Sequence, residues 1–600
     1  MRDRGATGAG SKPLDVGNGR LVASFAPSSP VLLSVLAYHA EHGVAELSAL
    51  PAFDEVHRGH PEHVRRYRLS MTSDEYACLE LETEDGLQAV VEQVDVADVE
   101  RPGWAGRVGK ASFRAEARAD RDAIVLAWRI AGDAPPALRL RFMGRIDRPA
   151  LAEITDLDPP QPTGAETTLY AEGSRLIVRS TLPAELAIDA DAGDWVIDGA
   201  EATLEVGAVQ RLAVRITSVG GIPGGLSRAS AAREEHWSPL VRRAVAYVRG
   251  CTALRTAPDE VVLLTDHRIL PLSWTRDAYY QALLLLATGE AADADMVADH
   301  LRWLWRRCER PGGRWVRSHH ANGRPKDMAF QADQHLYPII ELADYWRATG
   351  ALPAGVDWNS EVARAWSAAV AEVDAATGLM GTTENAADDP APAPFTANSQ
   401  VLLWYAAMRL AELAAAGDLG LSADELSAQA ESVRAGFKRY IETGDLWLYA
   451  TDAAETRVGY HDANDLPVAL SPLLGFCAAD DPGWRGTMAF AFSTANPGYY
   501  EGERGGLGST HTPAPWTLGD VQAWVVARVT GDEKGMAAAI DRMARVAFDD
   551  GMLPEAYSAT LNPDVRIRHW FAWPGAALGA LLLLDERGQL GLLMAAVAEG

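Results

Sequence analysis

The hydrophobic pattern of this 600-residue chain changes its period once, and this change limits the fold more than any other feature. Before the glycine-rich stretch 219–230, short apolar runs alternate with polar residues, as in 124–130. Period-two alternation between breaks rich in Gly, Asp and Pro is typical of antiparallel strands. After the glycine-rich stretch the period is helical and stays helical. The pattern therefore predicts a β domain, residues 1–225, followed by an all-α domain, residues 226–600.

Each half of the pattern indicates an architecture. Alternating runs at this spacing favour an antiparallel β-sandwich. The second half contains many apolar helices joined by long polar loops, which suits a toroid of helical hairpins whose loops build a site at one end. The candidate helices are 238–256, 274–289, 291–310, 329–349, 359–375, 397–416, 423–443, 466–479, 515–530, 534–548 and 573–586.

The helix predicted at 274–289 combines an apolar body with a polar first turn. Apolar side chains cover nearly every side of it, so it must be buried. Its first turn nevertheless carries Trp274, Arg276 and Asp277. Buried charges must meet each other, another polar group or a ligand. A guanidinium and a carboxylate can bind sugar hydroxyls, and an indole can stack on a sugar ring. A structural ion pair that caps a core helix is the alternative.

Composition excludes several classes of function. The formal net charge of −27 is spread along the chain and argues against nucleic acid and anionic membranes as partners. The four cysteines are far apart and form no CxxC pair, which indicates free thiols in a reducing compartment. No signal-peptide pattern or apolar run of membrane-spanning length occurs, so we expect a cytoplasmic protein. No motif calls for a metal or another cofactor; the segment 461–465 lacks the spacing of a calcium loop.

Three further acids are candidates for chemistry or binding. Glu384 lies in a loop before a long predicted helix, and Glu555 follows an apolar Met-Leu-Pro approach. Burial raises the pKa of a carboxyl group, which suits it for proton transfer, and glycoside cleavage needs two carboxyl groups in different protonation states. Asp333 opens another apolar helix with an unusually polar entry. A solvated loop position for either glutamate, and a charge that favours the helix dipole for Asp333, are the simpler interpretations.

The order of the motifs resembles glycoside hydrolase family 15, the glucoamylase-like enzymes. The similar segments are Gly17-Asn-Gly-Arg20, Trp274-Thr-Arg-Asp277, Glu384 followed by Phe395-Thr396, Asn496-Pro-Gly-Tyr-Tyr-Glu501 through Pro515-Trp516, and Gly551-Met-Leu-Pro-Glu555 with Trp573 after it. The resemblance covers nearly the whole chain. It implies a β super-sandwich before an (α/α)6 barrel, in agreement with the fold class inferred from the hydrophobic pattern.

The resemblance also implies roles for individual residues. Glu384 would be the general acid and Glu555 the general base of an inverting exo-hydrolase. Independently of the resemblance, Asp333 is the reserve candidate for the acid, because it also lies at a helix start that faces the same end of the predicted toroid. The expected substrate-binding residues are Trp274, Arg276, Asp277, Asp333, Tyr500 and Trp516. The chain departs from the family pattern at two points. The acid segment reads Thr-Thr-Glu-Asn without a Trp, and Ala556 replaces the Gln that usually follows the base.

We therefore expect an exo-acting α-glycosidase that hydrolyses a small oligosaccharide, with an α-glucoside as the first candidate substrate. A disaccharide phosphorylase or a glycoside-cleaving lyase on the same barrel is the alternative enzyme, although a phosphorylase does not need the base Glu555. A catalytically inactive sugar-binding protein is the alternative outside enzymes. The expected partner is a small oligosaccharide, with neither nucleic acid nor membrane, and a homo-oligomer is compatible with the sequence.

Overall fold

The computed structural model describes residues 12–50, 70–98, 100–132, 136–149, 165–218, 236–417, 419–561 and 565–590. They fall into two compact units. The first takes in the described residues up to Leu272 together with His320–Asn322 and Phe548–Asp550, and the second takes in the others. The boundary predicted at 225/226 lies outside the described residues and stays a prediction.

The first unit is rich in strands. They are β1 Leu14–Gly17, β2 Leu21–Phe25, β3 Leu32–His39, β4 Gly43–Ser48, β5 Leu79–Thr83, β6 Val90–Asp95, β7 Gly103–Val108, β8 Ala111–Ala119, β9 Ile124–Ala131, β10 Ala137–Phe142, β11 Arg145–Pro149, β12 Thr167–Glu172, β13 Arg175–Ser180, β14 Glu185–Ala190, β15 Asp194–Asp198, β16 Glu201–Ala208 and β17 Arg211–Ser218. Helix α1 Pro239–Tyr247 and the hairpin of β18 Ala253–Ala257 and β19 Glu260–Leu263 follow.

These strands form two large antiparallel sheets. One has nine strands in the order β1-β2-β3-β5-β10-β16-β15, with β4 beside β3 and β11 beside β4. The other has eight, in the order β12-β13-β14-β17-β9-β8-β7-β6. The predicted alternation is confirmed where it is clearest, because Ile124, Leu126, Trp128 and Ile130 are all buried along β9. Apolar side chains of both sheets share one core, in which the rings of Phe25 and Trp104 meet edge to face.

The second unit is mainly helical. Its helices are α2 Thr275–Thr288, α3 Ala291–Arg302, α4 Ala332–Thr349, α5 Trp358–Val370, α6 Ala397–Ala415, α7 Ala423–Tyr440, α8 Leu466–Leu474, α9 Pro482–Ala491, α10 Thr517–Thr530, α11 Glu533–Val546 and α12 Ala572–Glu586. The remaining strands are short: Leu272–Ser273, Ser318–His320, Pro325–Asp327, Phe395–Thr396, Glu442–Thr443, Leu446–Trp447, Ala450–Thr451, Arg457–Val458, Tyr499–Tyr500, Gly506–Ser509, Ala514–Pro515, Ala556–Tyr557 and Arg566–Ile567.

The most deeply buried helices of this unit pack in a cyclic order. Helix α2 contacts α4, α4 contacts α6, α6 contacts α8, α8 contacts α10, α10 contacts α12, and α12 contacts α2 again. The intervening helices each pack against the apolar helix that precedes them in the chain. This arrangement suits deeply buried helices, because each of them has a helical neighbour on both flanks. We call α2, α4, α6, α8, α10 and α12 the inner helices.

The structure differs from the sequence-based helix predictions at two places. The helix predicted at 238–256 ends early, and the β18–β19 hairpin follows it. Its Val- and Thr-containing end has the β-branched residues that strands favour. Helix α9 was not predicted, because the Gly and Pro residues in Pro482–Ala491 resemble a loop. Pro482 lies in the first turn, where a missing N–H costs nothing, and Asp481 caps the helix through Trp484 N–H.

Candidate active site

The candidate site residues lie in the first turns of inner helices or in the segments that precede them. Arg276 and Asp277 open α2, Asp333 opens α4, and Glu384 lies in the loop before α6. Trp516 immediately precedes α10, and Glu555 lies in the segment before α12. A helix N-terminus presents free N–H groups and a partial positive charge, which favours carboxylates there. The candidate acids therefore lie at the N-terminal ends of inner helices or in the segments that lead into them.

Arg276 is the centre of a buried cluster of charged groups. Its guanidinium lies 3.1 Å from Asp333 Oδ2, 3.3 Å from Asp388 Oδ1 and 3.4 Å from Asp277 Oδ1. The same guanidinium lies over the ring of Trp573, with its central carbon 4.6 Å from the ring centroid. One buried cation thus holds three carboxylates. The sequence analysis required the charges of Arg276 and Asp277 to meet each other, another polar group or a ligand, and in the structure they lie together with Asp333.

The first turn of α2 is held by α4. Thr275 Oγ1 donates to the backbone oxygen of Gln334 at 2.6 Å and to its side-chain oxygen at 2.8 Å. The same side-chain oxygen accepts the Arg276 N–H at 3.1 Å. Gln334 therefore caps a neighbouring helix, as an N-cap residue would. This cap fixes the guanidinium of Arg276 against Asp333 on α4.

Burial gives the carboxyl groups around Arg276 different proton affinities. Burial raises the pKa of Asp277 to about 7, although the positive charges of Arg276 and Arg568 oppose the increase. Burial also raises the pKa of Asp333 against the same guanidinium. For Asp388 the balance is opposite, because Arg276 and Gln331 outweigh burial and lower the pKa. The cluster therefore holds both an easily ionised acid and acids that retain a proton more readily.

Asp388 has a backbone conformation that is uncommon outside glycine. Its φ angle is 65°, a left-handed region that Asp adopts more easily than most residues. This conformation allows its carboxylate to accept a 2.7 Å hydrogen bond from Gln331 Nε2 as well as the contact with Arg276. Strain of this kind persists only where the surrounding contacts hold the residue. The sequence analysis missed Asp388, although two consecutive acids four residues after Glu384 were a visible signal.

Glu384 lies within the same network. Arg317 Nη1 lies 3.3 and 3.4 Å from its two oxygens, and Gln331 Nε2 donates to Oε2 at 3.1 Å. Gln331 therefore bridges Glu384 and Asp388. Burial raises the pKa of Glu384 even though Arg317 opposes the increase. A half-buried carboxyl group that retains its proton can serve as a proton donor.

Glu555 has a different environment. Arg568 Nη1 donates to Oε2 at 3.1 Å, and Thr512 Oγ1 donates to Oε1 at 3.1 Å. Both carboxyl oxygens thus accept hydrogen bonds. The backbone holds the residue on two sides, because its N–H donates to Ile567 and its carbonyl accepts the Thr517 N–H at the start of α10. Arg568 has a φ of 61°.

The three predicted aromatic residues have different surroundings. Trp516 is buried, and its Nε1 donates to the Thr512 carbonyl at 3.0 Å, next to the residue that binds Glu555. Trp274 is buried at the start of α2, and its Nε1 has no hydrogen-bond partner within the described ranges. Tyr500 is half-buried, and its hydroxyl donates to the Ser509 carbonyl at 2.9 Å. This hydrogen bond to a backbone carbonyl orients the Tyr500 ring, and it does not involve another candidate site residue.

Electrostatic interactions connect the two glutamate environments. The charge of Arg568, which pairs with Glu555, also acts on the pKa of Asp277 in the Arg276 cluster. His511 lies between the two environments: its Nδ1 is 3.1 Å from Asp389 Oδ1, and the charges of Glu555 and Asp388 also act on its pKa. The residues that the sequence analysis missed in these contacts are Arg317, Gln331, Asp388, Asp389, His511, Thr512 and Arg568. Most are single polar residues in loops, without a spacing that marks them.

Replacement of Arg317 tests the proton affinity of Glu384. In Arg317→Met the cation that stabilises ionised Glu384 is absent, so the pKa of Glu384 rises further. If Glu384 must be protonated, activity is lost as pH rises through this pKa, and the alkaline limb of kcat/KM should move to higher pH. The measurement is a pH profile on an α-linked disaccharide. Arg314→Met, which removes an arginine paired with Glu372, is the matched control and should not move the limb. A limb that moves to lower pH, or does not move, would contradict the assignment.

No group of three or more His, Cys, Asp or Glu side chains within the described ranges has an arrangement that could hold a metal ion. Three of the cysteines are buried, Cys477 is partly buried, and none forms a disulfide. No helix in the described part of the chain has the length and apolarity needed to cross a bilayer.

Two solved structures resemble this chain in fold. A bacterial glucoamylase complexed with acarbose has a TM-score of 0.63 at 10% sequence identity, and the match covers 99% of this chain and 96% of that one. A metal-independent α-mannosidase from Streptococcus pneumoniae, in a non-productive complex with α-1,6-mannobiose, has a TM-score of 0.50 at 19% identity. That match covers 58% of this chain and 93% of the mannosidase. Large antiparallel sheets followed by a helical region that resembles (α/α)6 glycosidases are therefore the fold of this protein.

This protein is a glycoside hydrolase of the (α/α)6 type, because its fold and a match to a family model both indicate that class. The matching family is described as metal-independent alpha-mannosidase, glycoside hydrolase family 125, and its sequence model matches residues 359–583. The prediction of a glycoside hydrolase is thus confirmed. The resemblance to family 15 is supported in fold but not as a family, because the matching family model is a different one. No curated protein matches the sequence.

Proposed function

We propose that this protein is an inverting, exo-acting α-glycosidase that removes the non-reducing sugar of a small oligosaccharide. The observation that carries the proposal is that two glutamates lie on one charge network and that burial raises the pKa of one of them, Glu384, although Arg317 contacts both of its oxygens. The other, Glu555, accepts hydrogen bonds from Arg568 and Thr512. An inverting glycosidase needs one protonated carboxyl group for the leaving oxygen and one ionised carboxylate for water. Glu384 is the acid and Glu555 is the base in this proposal.

In this proposal the Arg276 cluster binds the terminal, non-reducing sugar. Asp277 and Asp333 offer carboxyl oxygens to sugar hydroxyls, and Arg276 supplies donors while it balances their charge. Trp274 and Trp516 supply buried aromatic surface at the starts of α2 and α10. Together these groups match the polar and aromatic chemistry of sugar binding. In this proposal they lie around one end of the inner helices and bind the terminal sugar there.

The sugar is proposed to be an α-mannoside ahead of the α-glucoside expected from the sequence. The family model that matches residues 359–583 describes an alpha-mannosidase. An α-glucoside is the second candidate. The similar glucoamylase, which has the higher TM-score, was solved in complex with acarbose. Mannose and glucose differ only at C2, so the contacts around that hydroxyl decide between them.

A panel of α-mannosides and α-glucosides tests both the reaction and the sugar. We expect hydrolysis of an α-linked disaccharide to release a sugar that proton NMR first detects as the β-anomer, with the α-mannoside cleaved faster. Phosphate should leave the products unchanged. A sugar phosphate formed only with phosphate would indicate a phosphorylase, and an unsaturated or anhydro product would indicate a lyase. An α-anomer released first would contradict inversion. Binding without turnover on every substrate would indicate a sugar-binding protein.

A further inference from the structure

The contact between His511 and Asp389 joins two loops that carry opposite halves of the candidate site. Asp389 lies in the loop between α5 and α6, five residues after Glu384 in the chain. His511 lies in the turn before α10, next to Thr512. The imidazole Nδ1 is 3.1 Å from Asp389 Oδ1. The two side chains therefore form a bridge between the Glu384 side and the Glu555 side.

Each end of this bridge is anchored close to a catalytic candidate. On one side, Glu384 pairs with Pro390 across the loop, and the Asn385 side chain accepts the Asp389 N–H at 3.1 Å. On the other side, Thr512 donates to Glu555 at 3.1 Å, and Trp516 donates to the Thr512 carbonyl. The ring of His511 also meets Trp516 edge to face, with centroids 6.5 Å apart. The bridge is thus held at a defined position relative to both glutamates.

The two bridging side chains are more exposed than the charged groups around Arg276. The side chain of His511 is 41% exposed and that of Asp389 is 40% exposed, whereas Arg276 is 5% exposed. Within the part of the chain that the structure describes, neither His511 Nε2 nor Asp389 Oδ2 has a hydrogen-bond partner. The bridge thus has one donor and one acceptor available to a ligand. The hydrogen bond that His511 donates to Asp389 raises the pKa of His511 to about 9, so the imidazole is protonated at neutral pH.

We propose that His511 and Asp389 bind the leaving-group sugar of the substrate and select for a hydroxyl-bearing sugar at that position. This inference rests on the proposed function, because the general acid of a glycosidase lies on the leaving-group side of the scissile bond. Asp389 follows the proposed acid in the same loop and is exposed, so a sugar leaving past Glu384 would meet it. The imidazolium would donate to one hydroxyl, and the carboxylate would accept from another.

Substrates that differ only in the leaving group test the inference. A disaccharide occupies the leaving-group subsite, whereas a glycosyl fluoride leaves as a single ion that cannot reach it. We expect Asp389→Asn and His511→Gln each to lower kcat/KM on the disaccharide about 10- to 100-fold, the range for loss of hydrogen bonds to charged groups. Hydrolysis of the glycosyl fluoride should change less than threefold. Asp541→Asn, which removes an exposed carboxylate paired with Arg545 on α11, is the matched control and should change neither substrate.

A pair of aryl glycosides separates sugar binding from proton donation. Phenyl and 4-nitrophenyl glycosides have leaving groups of similar size but different acidity. A proton donor matters far more for phenyl, so its loss changes the ratio of the two rates. We expect Asp389→Asn to keep the wild-type ratio and to weaken product inhibition by the leaving sugar. A selective loss of phenyl glycoside cleavage would make Asp389 the proton donor and overturn the inference.

Unchanged disaccharide cleavage in both variants would also overturn the inference. Failure of the proposed function is distinguished by the wild-type protein, which would then hydrolyse neither the glycosyl fluoride nor the disaccharide. If the wild-type protein cleaves both and only the variants differ, the result concerns the leaving-group subsite alone.

Discussion

Glu384→Gln should lose about 10²- to 10⁴-fold in kcat on a natural disaccharide and keep most of its activity on a glycosyl fluoride. That range is the usual contribution of a general acid. Fluoride leaves without protonation, whereas a sugar alkoxide does not. The measurement compares the disaccharide, the fluoride and an activated aryl glycoside for the wild type and the variant. Glu533→Gln, an exposed glutamate at the start of α11, is the control and should behave as wild type.

The loss of activity in Glu555→Gln should not depend on the leaving group, unlike the loss in Glu384→Gln. A base activates water whatever the leaving group, so natural and aryl substrates should be slowed about equally. Added azide, which needs no base, should restore turnover and give a glycosyl azide of inverted configuration. The opposite pattern, with Glu555→Gln spared by good leaving groups, would exchange the two roles.

The same substrate series tests the other carboxyl groups around Glu384. Full activity of Glu384→Gln on disaccharides, together with a leaving-group-dependent loss in Asp333→Asn or Asp388→Asn, would move the acid role to that residue. Asp388 contacts the same Gln331 as Glu384, but its lowered pKa makes it the weaker proton donor at neutral pH. Burial raises the pKa of Asp333, which makes it the stronger rival.

Arg276→Met should lower the stability of the helical unit by about 3–5 kcal/mol, the usual result of removing one partner of a buried ion pair. Three acids, Asp277, Asp333 and Asp388, would lose the cation they share. Chemical unfolding followed by far-UV circular dichroism measures the change in the helical transition. Activity should fall below detection, because the acids that bind the sugar would repel each other.

Two further variants separate the charge effect from lost packing. Arg545→Met removes an exposed arginine from an i,i+4 pair on α11, and its effect should stay below about 0.5 kcal/mol. The double variant Arg276→Met/Asp333→Asn should be more stable than Arg276→Met alone, because one uncompensated charge is gone. If the double variant is less stable, lost contact with Trp573 and not uncompensated charge explains the cost of removing Arg276.

The sequence alone predicted the elements whose pattern is local. Alternation at 124–130 marked a strand, and the apolar body of 274–289 marked a buried helix, because burial on one face or on all sides is written directly into residue spacing. The two charged residues at the start of the helix 274–289 were visible for the same reason. Arg276 and Asp277 are unusual at the start of a buried helix, so their position alone indicated a partner or a ligand.

The tertiary structure decided which groups those acids meet. Gln331 joins Glu384 to Asp388 across 53 and 57 positions of sequence, and His511 meets Asp389 across 122 positions. A hydrogen bond between loops depends on how the helices that carry them pack, and no periodicity in either loop records that packing. The same reason explains the pKa differences, since burial and the nearest cation act on a carboxyl group through space and not along the chain. The sequence therefore determined which acids lie at the starts of the inner helices or in the segments before them. Only the packing of those helices determined how the acids are paired.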